Sequence, residues 1–341
     1  MSMKLMVGLP SPLRRHEYPG LWEDFFQRLG VDVVFSPPTN KAIFDAGVKL
    51  CTGDACLPLK VLHGHVLSLG SRADAVFVPR FVYPAPLEAA CPKFCALPDI
   101  LRLNVPEVTV WDMTVDLNKG LVYTLSTLDE MGRFMEHATG ERWAGGASAG
   151  RVRAAFVEAL TRPQAPWYYR IMSECAGEGS GGCGGYEGGP GAIDWDQANL
   201  SGLTGLTEPA VGVIGHGYLT QDAFVTMNLQ AKIAGRGYRV ITGDDVPYDL
   251  KRHCCYPFQN RAFWGVGVDL LGTALTLLNH EDVKGLIYVT SFACGIDSVV
   301  LELLERQESY GKEKPCMRLC LDEHTGESGF DTRLEAFFDL L

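Results

Sequence analysis

Short runs of apolar, β-branched residues recur along this chain. Each is followed by a stretch whose apolar positions return every three to four residues. KLMVGLP (4–10), VDVVFS (31–36), ADAVFVPR (73–80) and EVTVWDM (107–113) predict strands. Between them LWEDFFQRLG, NKAIFDAGVKL and LPLKVLHGHVLSLG carry apolar residues at helical spacing. Strands alternating with helices predict βαβ units and a parallel sheet. The rhythm breaks over 115–173, which reads as mostly helical. There STLDEMGRFMEHA opens on Ser126 and Asp129, three residues apart, a helix N-cap pattern.

Residues 177–192 follow, where nine of sixteen positions are glycine, too little side chain to hold one structure unaided. Without a Gly-Lys-Ser/Thr ending or a preceding strong strand, this predicts a linker or lid rather than a phosphate loop. The alternation then resumes: PAVGVIGHG (209–217), YRVITGDDV (238–246), KGLIYVTSFAC (284–294) and KPCMRLCLDE (314–323) are the strands. Helices are expected over 219–237, 263–280 and 295–311. Thr332 and Glu335 have capping-box spacing and predict a final helix starting there. The fold class expected is therefore α/β, with two Rossmann-like (flavodoxin-like) parallel-sheet domains around a helical, Gly-rich middle segment. The expected boundaries are 1–120, 121–205 and 206–341. In open parallel sheets ligands bind beyond the carboxyl ends of the strands, so the residues just after each strand are the candidates for chemistry.

Composition narrows the function. At 341 residues and 47% hydrophobic, the chain is long enough for two buried cores. A formal net charge of −11 argues against nucleic-acid binding. The first residues, MSMKLMVGLP, lack a signal-peptide pattern, and no apolar run approaches the ~18 residues of a membrane span. A cytoplasmic location is expected, where the eleven cysteines stay reduced.

Those cysteines sort by position. Cys56 precedes a helix start with Pro58 in its first turn; Cys294 ends a predicted strand and is followed by Gly295 and a helix. A thiol at such a point meets the positive end of the helix dipole, which favours its ligating, deprotonated form. Cys91, with Cys95 four residues on, follows the strand 73–80. Cys316 and Cys320 share one face of a predicted strand and read as core. Cys175 and Cys183 border the glycine-rich segment; Cys254 and Cys255 stay open, and Cys51 lies close to Cys56. No Cys-x2-Cys pair of a zinc ribbon or ferredoxin run is present. Separate cysteines converging from distant loops remain a possible cluster set. A second use is Cys56 as a nucleophile with His63 or His65 as base, although no orienting carboxylate is evident.

LGVDVVFSPPTNKAIFDAGVKLCTGDACLPLKVLHGHVLSL, then VFVPR, the CPKF and ALPD blocks, VGVIGHGYLTQDAF, SFACGIDSVV and LDEHTGESGFDTRLEAFFDLL resemble proteins related to 2-hydroxyacyl-CoA dehydratases and their activases, double-cubane cluster proteins included. The resemblance implies an oxygen-sensitive iron–sulfur protein. Its partner would be an ATP-hydrolysing, actin-fold activator that carries its own [4Fe-4S] cluster and supplies electrons at low potential. The chain would be an iron–sulfur reductase or a dehydratase-like component driving a difficult reduction or an acyl-CoA dehydration; a non-catalytic scaffold or docking subunit is the alternative. By motif, Cys56, Cys91 and Cys294 match cluster-ligand blocks. Cys51, Cys95, Cys254 and Cys255 are extra thiols that either complete a double-cubane [8Fe-9S] cluster or pack beside a single [4Fe-4S]. Lys60, His63 and His65 are then candidate donors around the cluster rather than ligands, the alternative being that His65 satisfies local polar groups. The resemblance also implies a homo- or heterodimer.

Overall fold

A computed structural model describes residues 5–12, 20–84, 88–139, 149–160, 208–258, 264–307 and 313–341. The glycine-rich segment 177–192, with Cys175 and Cys183, lies outside the described residues. The chain divides into two compact units, Met1–Thr52 with Lys60–Glu187, and Gly53–Leu59 with Gly188–Leu341.

In the N-terminal unit, strands β1 (Met6–Leu9), β2 (Asp32–Phe35), β3 (Ala75–Phe77) and β5 (Val110–Trp111) form a sheet in the order β2-β1-β3-β5. Every pairing in it is parallel. Past a short break, the third and fourth strands resume as β4 (Arg80–Tyr83) and β6 (Thr114–Asp116), also paired in parallel. Helix α1 (Leu21–Arg28) buries Leu21, Trp22, Phe25 and Phe26, one face of a helix repeat. Trp22 lies 4.7 Å from the Phe77 ring and 5.8 Å from the Phe156 ring, and Phe26 lies 5.1 Å from Phe77. Phe156 comes from α7 (Ala149–Leu160); this helix and α6 (Leu121–Thr139) complete the core with Leu128, Met131, Val152 and Ala159.

Helix α2 (Lys41–Leu50) starts where the Asn40 side chain accepts from the Ala42 and Ile43 amides at 3.0 and 3.1 Å. It packs on α3 (Leu57–Leu69) through two glycines. A Cβ on Gly47 would lie 1.9 Å from the Lys60 carbonyl oxygen, and one on Gly64 would lie 1.9 Å from that of Ile43. The helices therefore touch backbone to backbone. After α3 come α4 (Pro92–Cys95) and α5 (Leu97–Asn104).

The C-terminal unit repeats this strand order. β7 (Ala210–Ile214), β8 (Arg239–Thr242), β9 (Val283–Ser291) and β10 (Cys316–Leu321) form a parallel sheet in the order β10-β9-β7-β8. Numbered within each unit, both sheets run 2-1-3-4, the doubly wound arrangement of flavodoxin-like folds. β7 is buried throughout and β9 nearly so, which is why both read as continuous apolar runs. Around them lie α8 (Gly217–Thr220), α9 (Leu229–Ala234), α10 (Tyr248–Cys255), α11 (Gly265–Leu278), α12 (Gly295–Glu305) and α13 (Glu327–Phe338).

Three helix expectations need correction. The helix expected over 219–237 is interrupted: α8 ends at Thr220, a turn-rich stretch covers 221–228, where Met227 and Asn228 take positive φ (51° and 60°), and α9 runs only from Leu229 to Ala234. Ser126 and Thr332 are not N-caps. Each sits inside its helix, the Ser126 hydroxyl donating back to the Tyr123 carbonyl and that of Thr332 to Ser328. This back-bonding is the other common use of a short hydroxyl in a helix.

Gly47→Ala and Gly64→Ala each force a methyl onto backbone that cannot move aside. Each is expected to cost about 1–3 kcal/mol or more, read as a lower denaturant midpoint. An alanine variant with an unchanged midpoint contradicts the backbone-to-backbone contact.

Candidate functional site

In a 2-1-3-4 sheet the strand order reverses between the first and third strands, and the crevice beyond their carboxyl ends is where such folds place ligands. In the C-terminal unit these strands are β7 and β9. β7 runs into Gly215, with φ 156°, and His216; a Cβ on Gly215 would lie 2.4 Å from the Val289 carbonyl oxygen. Glycine is thus required for the turn after β7 to lie against β9. β9 ends at Ser291. Ala293 takes a positive φ of 63°, and Cys294 becomes the N-cap residue of α12. Asp297 lies in the first turn of that helix.

These residues meet. His216 Nε2 is 3.5 Å from Cys294 Sγ and 3.3 Å from Asp297 Oδ1, and the three ligating atoms lie within 4.8 Å of one another. Asp297 is 1% exposed and His216 3%. The carboxylate is held from β9: Tyr288 donates to Oδ1 at 3.0 Å and Thr290 to Oδ2 at 2.7 Å. Burial opposes charge on both partners, but mutual attraction outweighs it. The Asp297 carboxylate raises His216 well above the ordinary histidine value, and His216 with the two hydroxyls holds Asp297 below the usual carboxylate range. The imidazole stacks on Tyr218 at 4.9 Å and 10°. Its Nδ1 is buried with no hydrogen-bond partner among the described residues. Cys294 is half-buried, whereas both of its partners are buried.

The geometry separates two kinds of chemistry. A nucleophile–base–acid relay uses opposite nitrogens of the imidazole, one for the nucleophile and one for the carboxylate. Here a single nitrogen faces both, so the set is not a relay. Three such atoms within 4.8 Å of one another form instead a candidate metal-holding group. Bonds of about 2.0–2.3 Å at tetrahedral angles separate donors by about 3.3–3.6 Å. The thiol–imidazole–carboxylate set suits a borderline or soft transition metal.

Cys56 belongs to the same unit. The amide that follows it, that of Leu57, donates to Ser291 Oγ at 2.8 Å, across 234 positions of sequence. Cys56 itself is 7% exposed and accepts the Leu59 amide at the start of α3. Two of the three motif cysteines are thus fastened around the carboxyl end of β9.

Cys254 and Cys255 lie in the same unit, on α10 where it packs against α11. The first sulfur is 3.5 Å from Thr276 Oγ1, and the second donates to the Val268 carbonyl at 3.2 Å. Cys316 and Cys320, expected as core, are half-buried, on the face of β10 that also carries exposed Arg318. They are not core because β10 is an edge strand whose buried face is that of Leu319 and Leu321.

Cys51, Cys91 and Cys95 belong to the N-terminal unit. Cys51 closes α2, and Cys91 precedes the one-turn α4 that ends at Cys95. Arg80 donates to the Cys95 carbonyl at 2.7 Å while pairing with Asp99 and Asp112, which pins that turn. Burial, and then the neighbouring Cys91, push the Cys95 thiol up.

Lys60, His63 and His65 are buried on α3 in the N-terminal unit. His63 Nε2 lies 3.2 Å from the Asn104 amide nitrogen. Ser36 Oγ accepts the Ser11 amide and lies 2.7 Å from His65 Nδ1, while His65 Nε2 is 2.9 Å from Thr39 Oγ1. The Ser36 hydroxyl hydrogen is thus free to point at Nδ1, leaving Nε2–H to donate to Thr39. Both nitrogens of His65 are used, and burial lowers its pKa to about 4.

Sequence reasoning passed over His216 and Asp297. The signal that finds them is the same rule that picked out Cys294: His216 is the second residue after β7, and Asp297 sits one turn into the helix after β9.

His65 gives a signed pH dependence. Its folded value lies below the unfolded ~6.5, so its contribution is complete above pH 6.5 and is lost as pH falls towards 4. The loss at acid pH is expected to reach at most about 3 kcal/mol and to be absent in His65→Gln, measured by urea unfolding between pH 4 and 7.5. Parallel pH profiles for the two proteins contradict it.

Among known families, the model described as the CoA enzyme activase uncharacterised domain matches residues 6–246. No curated protein matches the chain. The matched span holds the N-terminal unit's described elements, Cys56, β7, His216 and β8, and stops before Cys294 and Asp297. The match is not specific to dehydratases or to double-cubane proteins. No helix among the described residues is long and apolar enough to cross a membrane. With more than half its length matched, the chain belongs to the CoA enzyme activase uncharacterised domain family.

Proposed function

We propose that this protein is an iron–sulfur electron acceptor serving an ATP-hydrolysing activator, with Cys294 and Cys56 among the ligands of its cluster. The observation that carries the reading is the grouping around the carboxyl end of β9. Cys294 lies three residues beyond that strand, and the Leu57 amide beside Cys56 is tied to its last residue, Ser291. Membership of an activase-related family supports the activator as partner. Within the same unit, Cys254 and Cys255 are the further thiols on which a larger cluster could draw.

The chain's residues fit such a group. A thiol at the start of a helix, half-buried beside a fully buried ion pair, gives a soft donor a fixed position with access from one side. Bound there, a cluster supplies one-electron chemistry at low potential, for a difficult reduction or an acyl-CoA dehydration. The protein does the rest: β9 and α12 fix Cys294, Ser291 fixes the turn that carries Cys56, and Asp297 fixes His216 next to the Cys294 sulfur. Exposed Phe292 and Val299, on either side of Cys294 in sequence, offer apolar contact to a partner.

The test is reduction by partner. After anaerobic purification the protein is expected to be brown. Its visible absorption should bleach on addition of a reduced family activator with ATP, and should not bleach without ATP. A colourless protein, or a coloured one that bleaches with dithionite but never with activator and ATP, overturns the reading.

A further inference from the structure

We infer that His216 is a positioning residue for the metal centre at Cys294: its Nε2–H donates to the Cys294 sulfur and raises the centre's affinity for an electron. This rests on the proposed iron–sulfur reading and deepens it, since it assigns a residue that neither the motif cysteines nor the family match identifies.

His216 is held at its backbone, at one ring face and at Nε2. Gly215 presses the turn before it onto β9, Tyr218 stacks on one face of the ring, and Asp297 faces the same nitrogen that faces the sulfur. Asp297 does not depend on His216 for its own place, because Tyr288 and Thr290 on β9 hold its two oxygens. The carboxylate therefore sets the ring, and the single Nε2–H is shared between Asp297 Oδ1 at 3.3 Å and the sulfur at 3.5 Å. At 3.5 Å, the nitrogen–sulfur separation is that of an N–H···S hydrogen bond. The site is almost dry, His216 and Asp297 being 3% and 1% exposed, so water does not compete for the sulfur from that side.

A hydrogen bond to a ligating sulfur withdraws electron density from it, stabilises the reduced centre and so raises its potential. Donors around the cluster were expected from Lys60, His63 and His65. His65 instead spends both nitrogens on Ser36 and Thr39 in the N-terminal unit, whereas His216 directs a nitrogen at a motif cysteine in its own unit.

The same donor separations suit direct coordination by His216, and the experiment distinguishes the two roles. Wild type, His216→Phe and His216→Gln are loaded with iron and sulfide without oxygen and titrated potentiometrically, with reduction followed by electron paramagnetic resonance. His216→Phe keeps a ring to stack on Tyr218 but has no donor. It is expected to retain its iron and sulfide and to titrate at a more negative potential. His216→Gln keeps an N–H and should lie between the two. In wild-type protein labelled with 15N-histidine, which needs no variant to fold, pulsed resonance should show a weak nitrogen coupling transmitted through the sulfur. A strong coupling typical of bound nitrogen, or loss of iron from both variants, makes His216 a ligand and overturns the inference. No histidine coupling, or an unchanged potential in His216→Phe, overturns it as well. A wild type that takes up no iron refutes the functional reading itself, whereas a loaded protein whose potential ignores His216 refutes only this inference.

Discussion

A carboxylate buried at 1% exposure is tolerable only if its charge is met, and the way Asp297 is met organises the C-terminal unit. Tyr288 and Thr290 reach it from β9, two residues apart and so on one face of the strand. His216 meets it from the end of β7. Because β7 and β9 are neighbours in a parallel sheet, one carboxylate joins the two strand ends at the point where the strand order reverses. Cys294, fixed as the N-cap residue of α12, takes its place on this frame. The fold supplies the crevice; the buried ion pair gives it a fixed interior.

The two units show how one topology serves different ends. Both sheets run 2-1-3-4, and both gather polar residues at the carboxyl ends of their strands. In the N-terminal unit Ser11 after β1, Ser36 after β2 and His65 from α3 satisfy one another, so that network is closed and structural. In the C-terminal unit the imidazole retains a buried nitrogen without a partner, and a half-buried thiol lies beside it. Networks completed internally stabilise a fold, while networks with capacity left over are where a further group is accommodated.

Much of this was legible in the sequence. All eight predicted strands overlap an observed one, because buried parallel strands leave apolar runs. Helix starts were harder. Ser126 and Thr332 carry the side chains of N-caps yet bond backwards within helices already begun, and composition does not distinguish these uses. The break in 219–237 spans 221–228, where Asp222 accepts the Phe224 and Val225 amides and Met227 and Asn228 take positive φ. Cys294 was found because it follows a strand. His216 and Asp297 were not, because a histidine and an aspartate attract attention by motif, and theirs is spatial: 81 positions of chain separate residues that touch.

What remains is whether the thiols of Cys56 and Cys294 serve one inorganic centre. Iron and acid-labile sulfide per chain, determined after oxygen-free purification of the wild type, Cys56→Ser and Cys294→Ser, decide it. The expected result is a loaded wild type and a large loss of both elements in each variant, with the fold retained by circular dichroism. A wild type without iron and sulfide, or full retention in both variants, would contradict it.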